Sequence, residues 1–148
     1  MNTPVTLESV AKTLIINERN EALVLTVGEY EGRPDKSHQP DLPGGIVETH
    51  MGEVERAGAI REAEEEAGLV LRPENMQLGY VKTEFYEEQL KSVSKFLYVT
   101  HIKNNDEVAI SWEHEQYEWI PLETLLSVKR FRPFYQEAIE YVLRNGIA

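Results

Sequence analysis

Pro43-Gly44-Gly45-Ile46-Val47-Glu48, then Gly52-Glu53, then Arg61-Glu62-Ala63-Glu64-Glu65-Glu66-Ala67-Gly68-Leu69 is the stretch on which this chain's reading turns. Seven glutamates and two arginines fall between Glu48 and Glu66. Glu62, Glu65 and Glu66 stand at spacing i, i+3, i+4, which stacks three carboxylates on one face of a helix. Like charges at that spacing repel, so a cation or a function must offset their cost. Hard divalent ions such as Mg²⁺ and Mn²⁺ are suited to that, because they prefer oxygen ligands. A helix is predicted from Gly52-Glu53 to Ala67, with Ile60, Ala63 and Ala67 on the apolar side, Glu64 on the surface, and Gly68 where a helix commonly stops. Pro43-Gly44-Gly45 is a turn signal in front of it.

Outward from this centre, Ser9 to Ile16 and Ala22 to Val27 are apolar and rich in Val, Ile, Leu and Thr, as strands joined by a polar turn would be. Gly28 to Pro43 has almost no aliphatic residues and is expected to be an exposed loop. Met76 to Phe85, Lys95 to Ile102 and Tyr117 to Ile120 read as strands, and Pro121 to Leu126 as a short helix. Pro133 opens a final amphipathic helix with Phe134, Ala138, Tyr141 and Val142 toward the core. Strands, one central helix, more strands and a terminal helix predict an α+β fold, an α/β/α sandwich around a mixed sheet.

The 148 residues suit one domain, taken as 1–148. Absence of cysteine removes thiolate metal sites and catalytic thiols and is compatible with a reducing, cytoplasmic setting. His38, His50, His101 and His114 form no pair at ligand spacing. No Glu-x-x-His pair of the kind a carboxylate-bridged di-metal oxidase uses is present. The amino-terminal residues contain no run apolar enough for a signal peptide or a membrane span. With 26 acidic against 15 basic residues the formal charge is −11, which opposes binding to duplex nucleic acid. A phosphate-bearing small molecule would need metal ions to bridge it in.

The stretch from Gly44 to Leu69 resembles the Nudix box of the Nudix hydrolases. Arg61 to Leu69 meets seven specified requirements in nine consecutive positions, with Ala63 as the apolar one. One departure stands out: Gly45 and Glu53 enclose seven residues where the family usually has five, an insertion around Thr49-His50-Met51 that bears on whether the Gly45 carbonyl reaches a metal.

The resemblance implies metal-dependent hydrolysis of a pyrophosphate linkage in a nucleoside diphosphate joined to another moiety, such as a (d)NTP, a nucleotide sugar or a dinucleoside polyphosphate. In family terms Glu62, Glu65, Glu66 and the Gly45 carbonyl would bind Mg²⁺ or Mn²⁺, and Arg61 would orient Glu53. Glu66 is expected to face the metal rather than the core. A further carboxylate often precedes a tryptophan-bearing strand, and Glu113, six residues before Trp119, is the candidate, with Glu115 in reserve. Trp119 itself is expected in the core. Tyr86, seventeen residues after Leu69, lies near the place where dinucleoside polyphosphate hydrolases carry a tyrosine that binds substrate. No proline occurs between Pro73 and Pro121, so the one associated with ADP-ribose pyrophosphatases is missing. A homodimer is implied only by analogy. The alternative function is a Nudix-like module that binds a nucleotide metabolite without turnover.

Overall fold

A computed structural model describes residues 3–103 and 107–148. Seven strands and three helices are described: β1 (Thr6–Ile16), β2 (Glu21–Val27), β3 (Pro40–Asp41), β4 (Gly44–Ile46), α1 (Glu55–Ala67), β5 (Met76–Tyr86), β6 (Lys91–His101), β7 (His114–Pro121), α2 (Leu125–Val128) and α3 (Pro133–Arg144). The strands form one sheet in the order β3-β2-β1-β6-β5, with β4 added to β1 and β7 to β2. β1 and β6 run parallel over their full length and every other pairing is antiparallel. The sheet is therefore mixed, as the pattern of apolar runs predicts.

Alternation along the strands splits the core in two, because successive side chains point to opposite faces. Leu14, Ile16, Val24, Leu97 and Val99 meet Phe134, Ala138, Ile139 and Val142 of α3 on one face. Ala11, Ile15, Leu23, Leu25 and Tyr98 meet Ala59, Ala63 and Ala67 of α1 on the other. The result is an α/β/α sandwich. Alanines are what α1 offers the sheet, so the helix carrying the glutamates lies close to β1 and β4. No helix among the described residues is long and apolar enough to cross a membrane.

Four local expectations are corrected. Glu53 lies outside the central helix: Gly52 is left-handed (φ 81°) and Val54 is extended, so α1 begins at Glu55. Pro43-Gly44-Gly45 does not form a free turn, since Gly44 to Ile46 pair with Val10 to Lys12 of β1. The loop from Gly28 is likewise pinned before Pro43, where Pro40 and Asp41 pair with Thr26 and Leu25. Tyr141 is 41% exposed while Tyr135 and Ile139 are buried, because the buried stripe of α3 runs through 134, 135, 138, 139 and 142. Gly68 ends α1 at φ 69°, donating to Ala63 and Glu64 carbonyls.

Candidate active site

Arg61 organises the acidic face. Its Nε and one terminal nitrogen grip both oxygens of Glu53 at 2.8 and 3.0 Å, and its other terminal nitrogen reaches Glu62 and Glu65, each at 3.1 Å. A fork of fixed donors matches a carboxylate better than a point charge would. The Glu53 hydrogen bonds from Arg61, with the Glu48 amide at 2.9 Å, hold the Glu53 carboxyl below its ordinary range. Glu62 moves the other way, raised by burial against the pull of Arg61.

The two extra residues before Glu53 are absorbed as one exposed 3-10 turn, Thr49–Met51. The Glu53 amide donates to the Glu48 carbonyl at 3.2 Å while Glu53 Oε1 accepts from the Glu48 amide, so the chain closes on itself around the insertion. Gly45 consequently keeps its place against α1. A Cβ on Gly45 would stand 2.9 Å from the Glu62 carboxylate, so any side chain there would push that carboxylate out of its place.

Glu66 is buried, 5% exposed, where a freely metal-facing side chain was expected, yet it still lines the cavity. Its Oε1 accepts the Gly44 amide at 2.9 Å. Burial pushes its pKa up to about 7, with Lys12 and the Gly44 hydrogen bond restraining the rise.

Beneath the glycine strand lies a buried polar knot that the sequence reading missed. Lys12, 8% exposed, donates to Asp41 Oδ1 and the Leu42 carbonyl at 3.1 Å and to the Gly44 carbonyl at 3.0 Å. Asp41 also bonds the Tyr135 hydroxyl and His114 Nε2, both at 3.0 Å. Burial works against both charges, but each holds the other ionised: Lys12 is raised and Asp41 lowered from their usual values. Burial pushes Tyr135 up to about 12. One signal was available, since Lys12 falls in phase with Leu14 and Ile16 on the core face of an apolar strand. Nothing local marked Asp41 or Tyr135.

A cavity of about 740 Å³ gathers Gly45, Glu62, Glu65, Glu66, Glu113 and Tyr86 along one wall or another. Glu113 immediately precedes β7 and sits beside β2, its carbonyl accepting the Gly28 amide at 2.9 Å. Glu115 faces away and pairs with His38 at 2.8 Å. Tyr86 ends β5, where its hydroxyl accepts from Lys95 at 3.3 Å. Glu53 stands outside the cavity lining and is joined to Glu62 and Glu65 through Arg61, and Glu64 is exposed on the helix surface. Trp119 is half-buried against the α1-side core.

The donor set consists of carboxylate oxygens and a backbone carbonyl strand, which is hard-cation chemistry. The carboxylates share the cavity without being drawn to one point: among the described residues no three acidic or histidine side chains form a ready cation cage. Arg61 holds Glu62 and Glu65, and the Gly44 amide holds Glu66.

The NUDIX domain family model matches residues 7–142. The chain belongs to this family. It is 32% identical over 91 residues to a bis(5'-nucleosyl)-tetraphosphatase [asymmetrical] of Caenorhabditis elegans, a match spanning 62% of this chain and 64% of that relative's length. Among solved structures, a MutT protein from Methanosarcina mazei Go1 superimposes with a TM-score of 0.77 at 24% identity, covering 98% of this chain and 99% of the other. An Ap4A hydrolase of C. elegans, solved as a binary complex, gives a TM-score of 0.61 at 28% identity over 88% and 92% of the two chains. The M. mazei likeness speaks to the fold. In this NUDIX chain the mixed sheet and the terminal helices are thus those of its relatives.

Two outcomes are expected. Lys12→Met strands Asp41 and two carbonyls without their donor and should cost ~3–5 kcal/mol in urea unfolding; a loss below ~1 kcal/mol would show that the knot does not hold this region. For Glu66, a folded pKa above the unfolded one means the folded state keeps its proton longer, so stability from this group falls as pH rises from about 4.5 to 7. Glu66→Gln can still accept from Gly44 and should outlast the wild type in metal-free buffer at pH 8, by up to on the order of 3 kcal/mol, with the advantage gone at pH 4. An equal difference at both pH values would contradict the burial assigned to Glu66.

Proposed function

We propose that this chain is a divalent-metal-dependent hydrolase of a phosphoanhydride bond in a nucleoside diphosphate derivative, acting as one domain. The observation that carries the reading is the convergence on one cavity of Glu62, Glu65, Glu66 and Glu113 with Gly45, organised by the fork of Arg61. In this reading Glu62, Glu65, Glu66 and the Gly45 carbonyl hold Mg²⁺ or Mn²⁺. When bound, the ion neutralises phosphate charge and makes water a better nucleophile. Arg61 fixes the positions of Glu53, Glu62 and Glu65, so little is spent on reorganisation as charge develops at phosphorus.

Water forms the new phosphorus–oxygen bond as the anhydride bond breaks, and Glu113, at the cavity edge, accepts the water's proton. Dinucleoside polyphosphates are the first substrates to try, given the tetraphosphatase among the relatives and Tyr86 lining the cavity. The binding-module alternative explains the fold equally but gives no reason for Arg61 to gather three glutamates.

The discriminating assay is a panel of nucleoside diphosphate derivatives with Mg²⁺ or Mn²⁺, scored by released phosphate products. EDTA should abolish turnover and added metal restore it; binding without turnover of any member would favour the module. Glu113→Gln should lower kcat by ~10²-fold or more, and Glu115→Gln by little. A loss confined to Glu115→Gln would transfer the proton-accepting role.

A further inference from the structure

The same cavity has a second pole of opposite sign. Lys36, from the loop between β2 and β3, and Arg132, just before α3, both line it. Neither has a carboxylate within ion-pair distance among the described residues, whereas their neighbours Arg33 and Lys95 are paired with Asp35 and Glu84. Lys36 and Arg132 instead lie over rings, each 5.4 Å from the centroid of Tyr30 and Tyr135 respectively. Arg132 Nε is buried and has no hydrogen-bond partner among the described residues. The Lys12–Asp41 pair lines the same cavity and acts electrostatically on both Glu66 and Lys36.

Two cations held near one another and partly withdrawn from water, with no carboxylate among the described residues within ion-pair distance, cost repulsion and desolvation that a bound anion would offset. Burial first, and Arg132, Arg33 and Lys12 after it, lower the Lys36 pKa, and the more distant Asp41 only partly opposes them. The start of α3 adds to the same field. Arg132 caps that twelve-residue helix without a side-chain hydrogen bond, and the helix's first backbone bond runs from the Gln136 amide to the Arg132 carbonyl at 3.0 Å. Pro133 has no amide hydrogen, so the Phe134 and Tyr135 amides are the ones without an intrahelical acceptor, which favours an anion there.

We propose that Lys36 and Arg132, with the start of α3, form an anion subsite that takes a phosphate group lying beyond the diphosphate linkage held at the glutamate wall. This rests on the hydrolase reading above and sharpens it. A substrate reaching both poles carries at least three phosphates in a row, so nucleoside triphosphates and dinucleoside polyphosphates fit, and a nucleoside diphosphate joined to a neutral sugar leaves the subsite unmatched.

Two measurements on the full chain test it, with Lys36→Gln, Arg132→Gln and the charge-keeping Arg132→Lys, each checked by its thermal melt. The first is calorimetric binding of inorganic tripolyphosphate in EDTA buffer, which does not depend on turnover. Wild type should bind, both Gln variants should bind ~10-fold or more weakly, and Arg132→Lys should recover part of the loss. Absent binding, or equal binding by all, would overturn the subsite. The second is the ratio of kcat/KM for diadenosine tetraphosphate to that for ADP-ribose with Mg²⁺. It should fall ~10-fold or more in the Gln variants, mainly through KM; an unchanged ratio would overturn the assignment. Wild type that binds tripolyphosphate yet hydrolyses no member of the nucleoside diphosphate panel would refute the hydrolase reading and leave the anion subsite supported.

Discussion

The Lys12 ammonium, buried in the sheet, is the interaction on which the arrangement of the site depends. It ties Asp41 and the carbonyls of Leu42 and Gly44 to β1. That attachment sets the path of the glycine strand over α1, turning the Gly44 amide toward Glu66 and packing Gly45 on Glu62. Through Asp41 the same knot takes in His114, next to Glu113, and Tyr135 at the start of α3. One buried ion pair thus joins β4, β7 and α3, three of the elements that line the cavity, and a buried charge so fully partnered is costly to break.

Above the knot, the acidic wall is kept together by two devices. Arg61 spreads its guanidinium over Glu53, Glu62 and Glu65, converting part of the repulsion among them into attraction. Glu66 is relieved differently, by burial that raises its pKa and by a backbone donor. Both arrangements leave acidic oxygens facing the cavity, and both suit a site that accepts cationic charge. In the proposed reading, the Lys36 and Arg132 pole would complement the far end of a polyphosphate, an anion along its whole length.

Sequence pattern disclosed most of this architecture because two periodicities, two along the strands and 3.6 along α1, are written directly in the apolar residues. The family resemblance carried the acidic wall: Arg61, Glu62, Glu65 and Glu66 are consecutive or nearly so, and their spacing alone sets their face. Failures came where distant segments decide. Glu53 continues the helical pattern in sequence, and nothing in its neighbours reveals that Gly52 turns left-handed. Glu66 looked free because its burial depends on β4, and Pro43-Gly44-Gly45 looked like a turn because its pairing partner is thirty-odd residues away in β1. Asp41, Tyr135, Lys36 and Arg132 come from separate loops and helices, and only the folded chain brings them to one cavity.

The most direct test is the anomalous difference map of a crystal soaked with Mn²⁺. The expected peak lies within coordination distance of the Gly45 carbonyl and the Glu62 and Glu66 carboxylates, on the cavity side of α1. A map with no peak there, or with Mn²⁺ bound only at surface acids elsewhere, would contradict the assignment of this glutamate wall to metal-assisted hydrolysis.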